Sequence, residues 1–303
     1  MQSLIIIFPI SGKKEPICFN FQRKERHMVR KYILFLKKYP LICAAIAIVY
    51  AMLCLKTLKM QTYFQQFILR TLLCGAMAFF LYQISGDKTL VSAYNSTWYV
   101  VRVAMGYWIF ALPMGIFGFL ASAASDLPLW DNVPWQLLSV FLMFICVGLF
   151  EELAFRAVIN DAIIYAYRDK KWVFVLSGLV SSLVFGAAHI IGASLSSPLA
   201  WAQAIGKTVS AGVFGLCLLF LYWKTRNIWA CGFVHGMYDL LAGFSQGIFN
   251  NPNPNTSYVA PDEQAIPVLV IYAATTLIEL FIFWVIWRKI GKKIDYQKIR
   301  EDW

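Results

Sequence analysis

The chain has 303 residues, of which 60% are apolar, 17% aromatic and only 14% charged, against roughly 25% charged in a soluble domain. This balance excludes a soluble globular protein and implies a multi-pass membrane protein. The net charge of +11 has no soluble module on which to collect, so nucleic-acid binding is excluded and anionic lipid is the expected counterpart.

In chain order, residues 1–31 form a basic extension. Its apolar run, residues 4–10, is too short to span a membrane and has no charged region before it, so it does not read as a signal peptide. Met28, followed by Val29, Arg30 and Lys31, is a natural start, and Met1 to His27 is expected to be an upstream extension without packed structure. Eight apolar runs then approach the roughly 20 residues that cross a bilayer: residues 32–55, 64–84, 98–121, 135–157, 172–191, 209–223, 229–249 and 265–287. Helices are expected, because lipid satisfies no backbone hydrogen bond and the runs lack the alternation of a barrel. The fold class is therefore all-α, with about eight transmembrane helices. The units are the extension, three helices over 32–134, a core over 135–249, an outer loop with helix 8 over 250–287, and a basic tail over 288–303.

Lysine and arginine mark the cytoplasmic side. They gather in the extension, in the turns after helices 4 and 6 (Arg168, Lys170, Lys171, Lys224, Arg226) and in the tail after helix 8. With eight helices these fall on one side, placing both termini in the cytoplasm, with Lys56, Lys59 and Lys207 against the rule. The seven cysteines are scattered, without a close zinc-binding or redox pair, and read as buried thiols.

Ionisable groups at membrane depth are costly and mark function or pairing. Three runs hold them: Glu151, Glu152 and Arg156; His189; and His235 with Asp239. Neighbouring Glu151 and Glu152 point about 100° apart on a helix, so they are expected not to face one site together. Arg156 follows Glu152 by one helical turn and should pair with it, leaving Glu151 free. Glu151 and His189 are equally spaced from Lys170 at the turn between helices 4 and 5, and so should sit level, about 28 Å from that turn. His235 is closer to its own turn at Arg226, so a single site requires the helix 4–5 hairpin to extend about 14 Å further than the helix 6–7 hairpin. Arg156, Asn160, Asp161, Tyr165 and Arg168 read as the polar face of that extension. Phe185 lies one turn before His189, placing a ring below it, and His235 and Asp239 share one face.

Glu151-Glu152-Leu153-Ala154-Phe155-Arg156 fits EExxxR, Phe185 to His189 fits FxxxH, and His235 to Asp239 fits HxxxN/D. In this order on separate membrane helices, they resemble the CPBP (ABI) family of intramembrane proteases, relatives of the type II CAAX prenyl endopeptidases. The resemblance covers roughly residues 137–245 and implies hydrolysis of a peptide bond in a membrane-associated peptide or protein, with CAAX-type processing among the activities implied. By that analogy Glu151 and His189 activate water, while His235 and the residue at 239 stabilise the oxyanion, Glu152, Arg156 and Phe185 supporting them. The chain has Asp239 where the prenyl proteases are expected to have asparagine; an ionised aspartate cannot donate, so Asp239 is expected to orient His235, which donates alone. Metal-free water activation is favoured over zinc, whose ligands would be Glu151, His189 and His235. A bacterial source would place the protein in the cell membrane.

Other readings are a non-catalytic immunity or signalling partner and, ranked last, a proton-coupled transporter, for which there is no internal repeat. Arg102 and Glu279 are expected to be structural, pairing with each other or with Arg70. Ser177, Gly178, Ser181, Ser182, Gly186 and Gly192 read as close helix packing. The glycosylation sequons at Asn95 and Asn255 read as chance matches.

Overall fold

The computed structural model describes residues 33–251 and 257–302. The expectations for Met1 to His27 and for the sequon at Asn255 lie outside them. The described residues are almost entirely helical; among them the only β pairing is an isolated bridge between Leu129 and Phe249.

The principal helices are α1 (Pro40–Thr57), α2 (Tyr63–Ser85), α3 (Thr97–Ala124), α4 (Val133–Tyr167), α5 (Val173–Ala188), α6 (Pro198–Thr225), α7 (Ile228–Gly243), α8 (Ala265–Ile290) and the short α9 (Tyr296–Glu301). Helix starts follow local chemistry, since the first N–H groups have no partner inside the helix. A capping box between Thr62 and Gln65 opens α2, while Ser96, Asn132, Ser197 and Asn227 cap α3, α4, α6 and α7 through their side chains. Proline lies in the first turn of α1, α4 and α6, where its missing N–H does no harm.

The structure lengthens two predicted elements: α4 runs on to Tyr167, ten residues past its expected end, and helix 6 gains turns at its start. Helix 6 begins at Pro198, not at residue 209, because Ser197 and Pro198 form a start signal well ahead of the uninterrupted apolar run. Lys207 consequently lies within α6 and is not a loop charge.

The chain is an integral, multi-pass membrane protein. Among the described residues six helices are long and apolar enough to cross a bilayer, and Val173–Ala188 is a shorter apolar helix. The outer surface carries Leu72, Ile109, Phe117, Leu277 and Phe281 at more than 60% exposure. Inside, α1 presents Cys43, Ala47 and Ala51, all fully buried. Large apolar side chains outside and small ones at helix contacts suit a lipid environment, in which close backbone packing drives association.

The bundle core joins α4 to α2 and α7, with α5 against α6 and α6 against α8. Gly186 of α5 has the expected close contact, since a Cβ there would lie 2.2 Å from the Thr208 carbonyl oxygen. Gly192 does not; it lies in open space with a φ of +87, so it serves the turn after α5.

Two further expectations are corrected. Arg102 is exposed and Arg70 lies against the Phe150 ring, while the buried Glu279 carboxylate accepts a hydrogen bond from Ser210 at 3.1 Å. Glu279 thus has a hydroxyl partner on α6 in place of the expected arginine. Of the residues read as the polar face of the extension, Asn160 and Asp161 are fully buried, whereas Tyr165 and Arg168 are exposed. Asp161 receives both guanidinium Nη atoms of Arg226 at 2.9 Å and the Tyr222 hydroxyl at 2.6 Å. The Asn160 amide also donates to Asp161, and Trp223 Nε1 donates to Asn160.

That network fixes the hairpin heights. It holds the α6–α7 turn level with Asp161, nine residues before Lys170, or about 14 Å along a helix. The α4–α5 hairpin therefore projects beyond the α6–α7 hairpin by the amount needed to bring the motifs level. The C-terminal segment packs around this end: Arg300 donates to the Lys170 carbonyl, Lys224 to that of Lys293 and Lys88 to that of Asp302.

Candidate active site

The site begins with a backbone contact. A Cβ on Gly148 of α4 would lie 2.3 Å from the Gly236 nitrogen, and one on Gly236 of α7 would lie 2.6 Å from the Phe144 carbonyl oxygen. Only glycine lets the two helices approach so closely, and His235 directly precedes Gly236. Immediately after Glu151 the α-helix gives way to a π-helical section, Glu152–Ile159. Such widened turns free backbone groups and recur at functional sites; here the Ser181 hydroxyl of α5 donates to the Phe155 carbonyl at 2.8 Å.

His235 is the hub. Its Nδ1 is 2.8 Å from Glu152 Oε1, and its Nε2 is 3.6 Å from both Glu151 Oε2 and Asp239 Oδ2. The expectation that adjacent glutamates cannot share a site is corrected. One imidazole bridges their divergence because its two nitrogens point in different directions. Their environments still differ: Glu152 is 0% exposed, whereas Glu151 and Asp239 are 18% and 24% exposed on the open side of the ring.

Behind His235, Arg156 Nε lies 3.3 Å from Glu152 Oε2 and donates to the Gly215 carbonyl. This is the expected one-turn ion pair. The Arg156 guanidinium also lies over the Phe185 ring, with its carbon 3.8 Å from the centroid, a cation–π contact. A Cβ on Gly215 would lie 2.7 Å from Arg156 Nη2 and 2.8 Å from Phe185 Cδ1, so α6 must be bare there.

Phe185 does lie against His189, 4.8 Å between centroids, but edge to face and not stacked. His189 Nδ1 is 2.9 Å from the Phe185 carbonyl oxygen; a carbonyl can only accept, so Nδ1 carries a proton. Glu151 interacts electrostatically with His189, His235 and Arg70. The structure thus groups every residue singled out in the sequence: Glu151, Glu152, His235 and Asp239 through direct polar distances, and His189 through Phe185 and the field of Glu151. The short contact to the His235 ring comes from Glu152, while Asp239, expected to orient that ring, stands further off.

Two neighbours were not anticipated. Tyr258, in the loop before α8, faces His189 with 5.6 Å between rings, and the Lys207 ammonium lies 4.2 Å from the Tyr258 centroid. Burial pushes the Tyr258 hydroxyl up to about 12, reinforced by Glu151 and Asp239, so it remains a neutral phenol at neutral pH. Lys207 interacts electrostatically with Glu279, Asp239 and Glu151. The start signal at Ser197-Pro198 could have revealed Lys207 in a helix; no sequence signal pointed to Tyr258.

Among the described residues no three His, Cys, Asp or Glu side chains are disposed to hold a metal ion.

Residues 133–241 match the protein-family model described as type II CAAX prenyl endopeptidase Rce1-like. Comparisons with curated proteins and with solved structures find no match. The matched segment runs from the first residue of α4 almost to the end of α7 and contains all three motifs. The part of the chain that builds this polar cluster is thus similar to the Rce1-like family of type II CAAX prenyl endopeptidases, the kinship that its motifs implied.

Proposed function

We propose that the protein is an intramembrane endopeptidase that hydrolyses a peptide bond of a membrane-associated peptide or protein. The observation that supports this most is His235, held by a closed carboxylate on Nδ1 while Nε2 faces a more accessible pair, Glu151 and Asp239. Glu151 is the general base. It takes a proton from water as the water oxygen bonds to the scissile carbonyl carbon, and the carbonyl π electrons move onto oxygen. His189, with its proton held on Nδ1 by Phe185, accepts the water's other hydrogen at Nε2 and aims its lone pair. His235 donates from Nε2 to the oxyanion. Because Glu152 already holds the Nδ1 proton, this assigns His235 its doubly protonated form, with Glu152 and Asp239 supplying counter-charge. Collapse of the oxyanion breaks the C–N bond, and the proton on Glu151 passes to the leaving amine. The products are a new carboxyl end and a new amino end. Asp239 acts through His235 and the Lys207 field, without donating. Both termini lie in the cytoplasm.

The test compares peptide ends by mass spectrometry in cells making the intact protein or Glu151→Ala at equal abundance. Ends lost only in the variant would establish proteolysis and identify the substrate; identical ends would overturn it in favour of a binding role.

A further inference from the structure

A cavity of about 190 Å³ lies away from the catalytic cluster, at the end of the bundle where the basic turns gather. Its wall combines the C-terminal end of α2 with Lys37, Lys88, Tyr165 and Asp302. Lys37 approaches from before α1, its ammonium 5.7 Å from the Tyr82 ring, and is in no ion pair among the described residues. Lys88 donates to the Asp302 carbonyl at 2.7 Å, leaving further ammonium protons available. Among the described residues the only acid in the wall is Asp302, whose carboxylate is engaged by the Tyr94 hydroxyl.

Gln83 gives the cavity a second, independent character. It is only 3% exposed, its Nε2 donates to the Phe79 carbonyl, and its Oε1 has no hydrogen-bond partner. A buried amide oxygen without a donor is costly. The wall therefore combines two cations with a residue, Gln83, whose buried amide oxygen has no donor. A bare phosphate satisfies the cations alone, whereas a phosphate carrying a polyol satisfies both. At the level of the basic turns, the ready source of that chemistry is the inner leaflet.

We infer that this cavity binds a phosphate-bearing polyol, the headgroup of a phosphatidylglycerol-type lipid, through Lys37, Lys88 and Gln83. The site joins α2, the segment before α1 and the C-terminal end of the chain, so occupation fastens the C-terminal segment to the bundle. It does not depend on the proteolytic reading, and its test reads no activity.

The experiment titrates purified, delipidated full-length protein in detergent with short-chain phosphatidylglycerol, phosphatidic acid, phosphatidylcholine and free glycerol phosphate. Native mass spectrometry counts the adducts and thermal unfolding reports their effect. One saturable phosphatidylglycerol per chain is expected, with phosphatidylcholine failing to compete. Lys37→Gln with Lys88→Gln should weaken binding about tenfold or more, two charge-assisted contacts being lost. Gln83→Leu should lower phosphatidylglycerol affinity to that of phosphatidic acid, which has no polyol hydroxyl. Glycerol phosphate competing equally, with the same sensitivity to the lysines, would support the chemistry and assign it to a soluble ligand. Competition by phosphatidylcholine on the unaltered protein, or undiminished binding by the double lysine variant, would overturn the inference.

Discussion

At the scale of single residues, Glu151 and Glu152 diverge in role because one faces the open side of His235 and the other is sealed behind it. Glu152→Gln retains an acceptor for Nδ1 but removes the charge opposite Arg156. Under the proposed mechanism it should lower kcat by about 10²-fold, comparable to losing other oxyanion-stabilising groups, while Glu151→Gln abolishes turnover. Peptide-cleavage kinetics on both variants will check this; equal losses would place both carboxylates in the same role. Gly215 is a second sensitive point. Gly215→Ala drives a methyl group into Arg156 and Phe185, and overpacking of this kind costs about 1–3 kcal/mol. Gly75→Ala meets nothing within 4 Å and is the control; thermal unfolding in detergent should separate the two. The pairing of Glu152 with Arg156 was legible from their spacing, since helical geometry fixes which side chains meet one turn apart. The contact from Glu152 to His235 was not, because it joins residues on separate helices.

At the scale of helices, Asp161 and Arg226 hold the short α6–α7 hairpin against α4. Removing one member of a buried pair strands the other charge, at about 3–5 kcal/mol, whereas replacing both with apolar residues is often close to neutral. Arg226→Met alone should therefore be strongly destabilised, and Asp161→Leu with Arg226→Met should recover most of the loss. A double variant no more stable than the single, by thermal unfolding, would show that the pair is not what fixes this turn. The offset between hairpins could be calculated from the sequence by counting residues to each turn. Its means could not: Asn160 and Asp161, read as part of the polar face, belong to the buried clasp, whereas Tyr165 and Arg168 of the same set are exposed, because polar residues in a membrane protein have the same sequence signature whether they face water or each other. The extra turns of α6 escaped hydropathy because Lys207 interrupts the apolar run, while the Ser197 cap announced the true start.

At the scale of the whole molecule, the basic turns and the C-terminal segment gather at one end, and the loop carrying Tyr258 and Asp262 precedes α8. In a background without native cysteines, Lys293→Cys should be shielded from a membrane-impermeant thiol reagent added to intact cells, while Asp262→Cys reacts. The opposite labelling would invert the cytoplasmic assignment of both termini. The family match covers α4 to α7, the part that carries the motifs, whereas α1 to α3 and α8 surround it without a comparable signature.

The sequence alone determined the membrane class, the helical fold and the grouping of acidic and imidazole side chains, because desolvation makes long apolar runs and the few ionisable residues within them conspicuous. Tertiary structure alone decided which carboxylate touches which nitrogen of His235, that Glu279 bonds to Ser210 and not to an arginine, and that Tyr258 and Lys207 join the site. Those outcomes depend on the rotation and separation of helices far apart in sequence, which are set by backbone contacts such as Gly148 on Gly236.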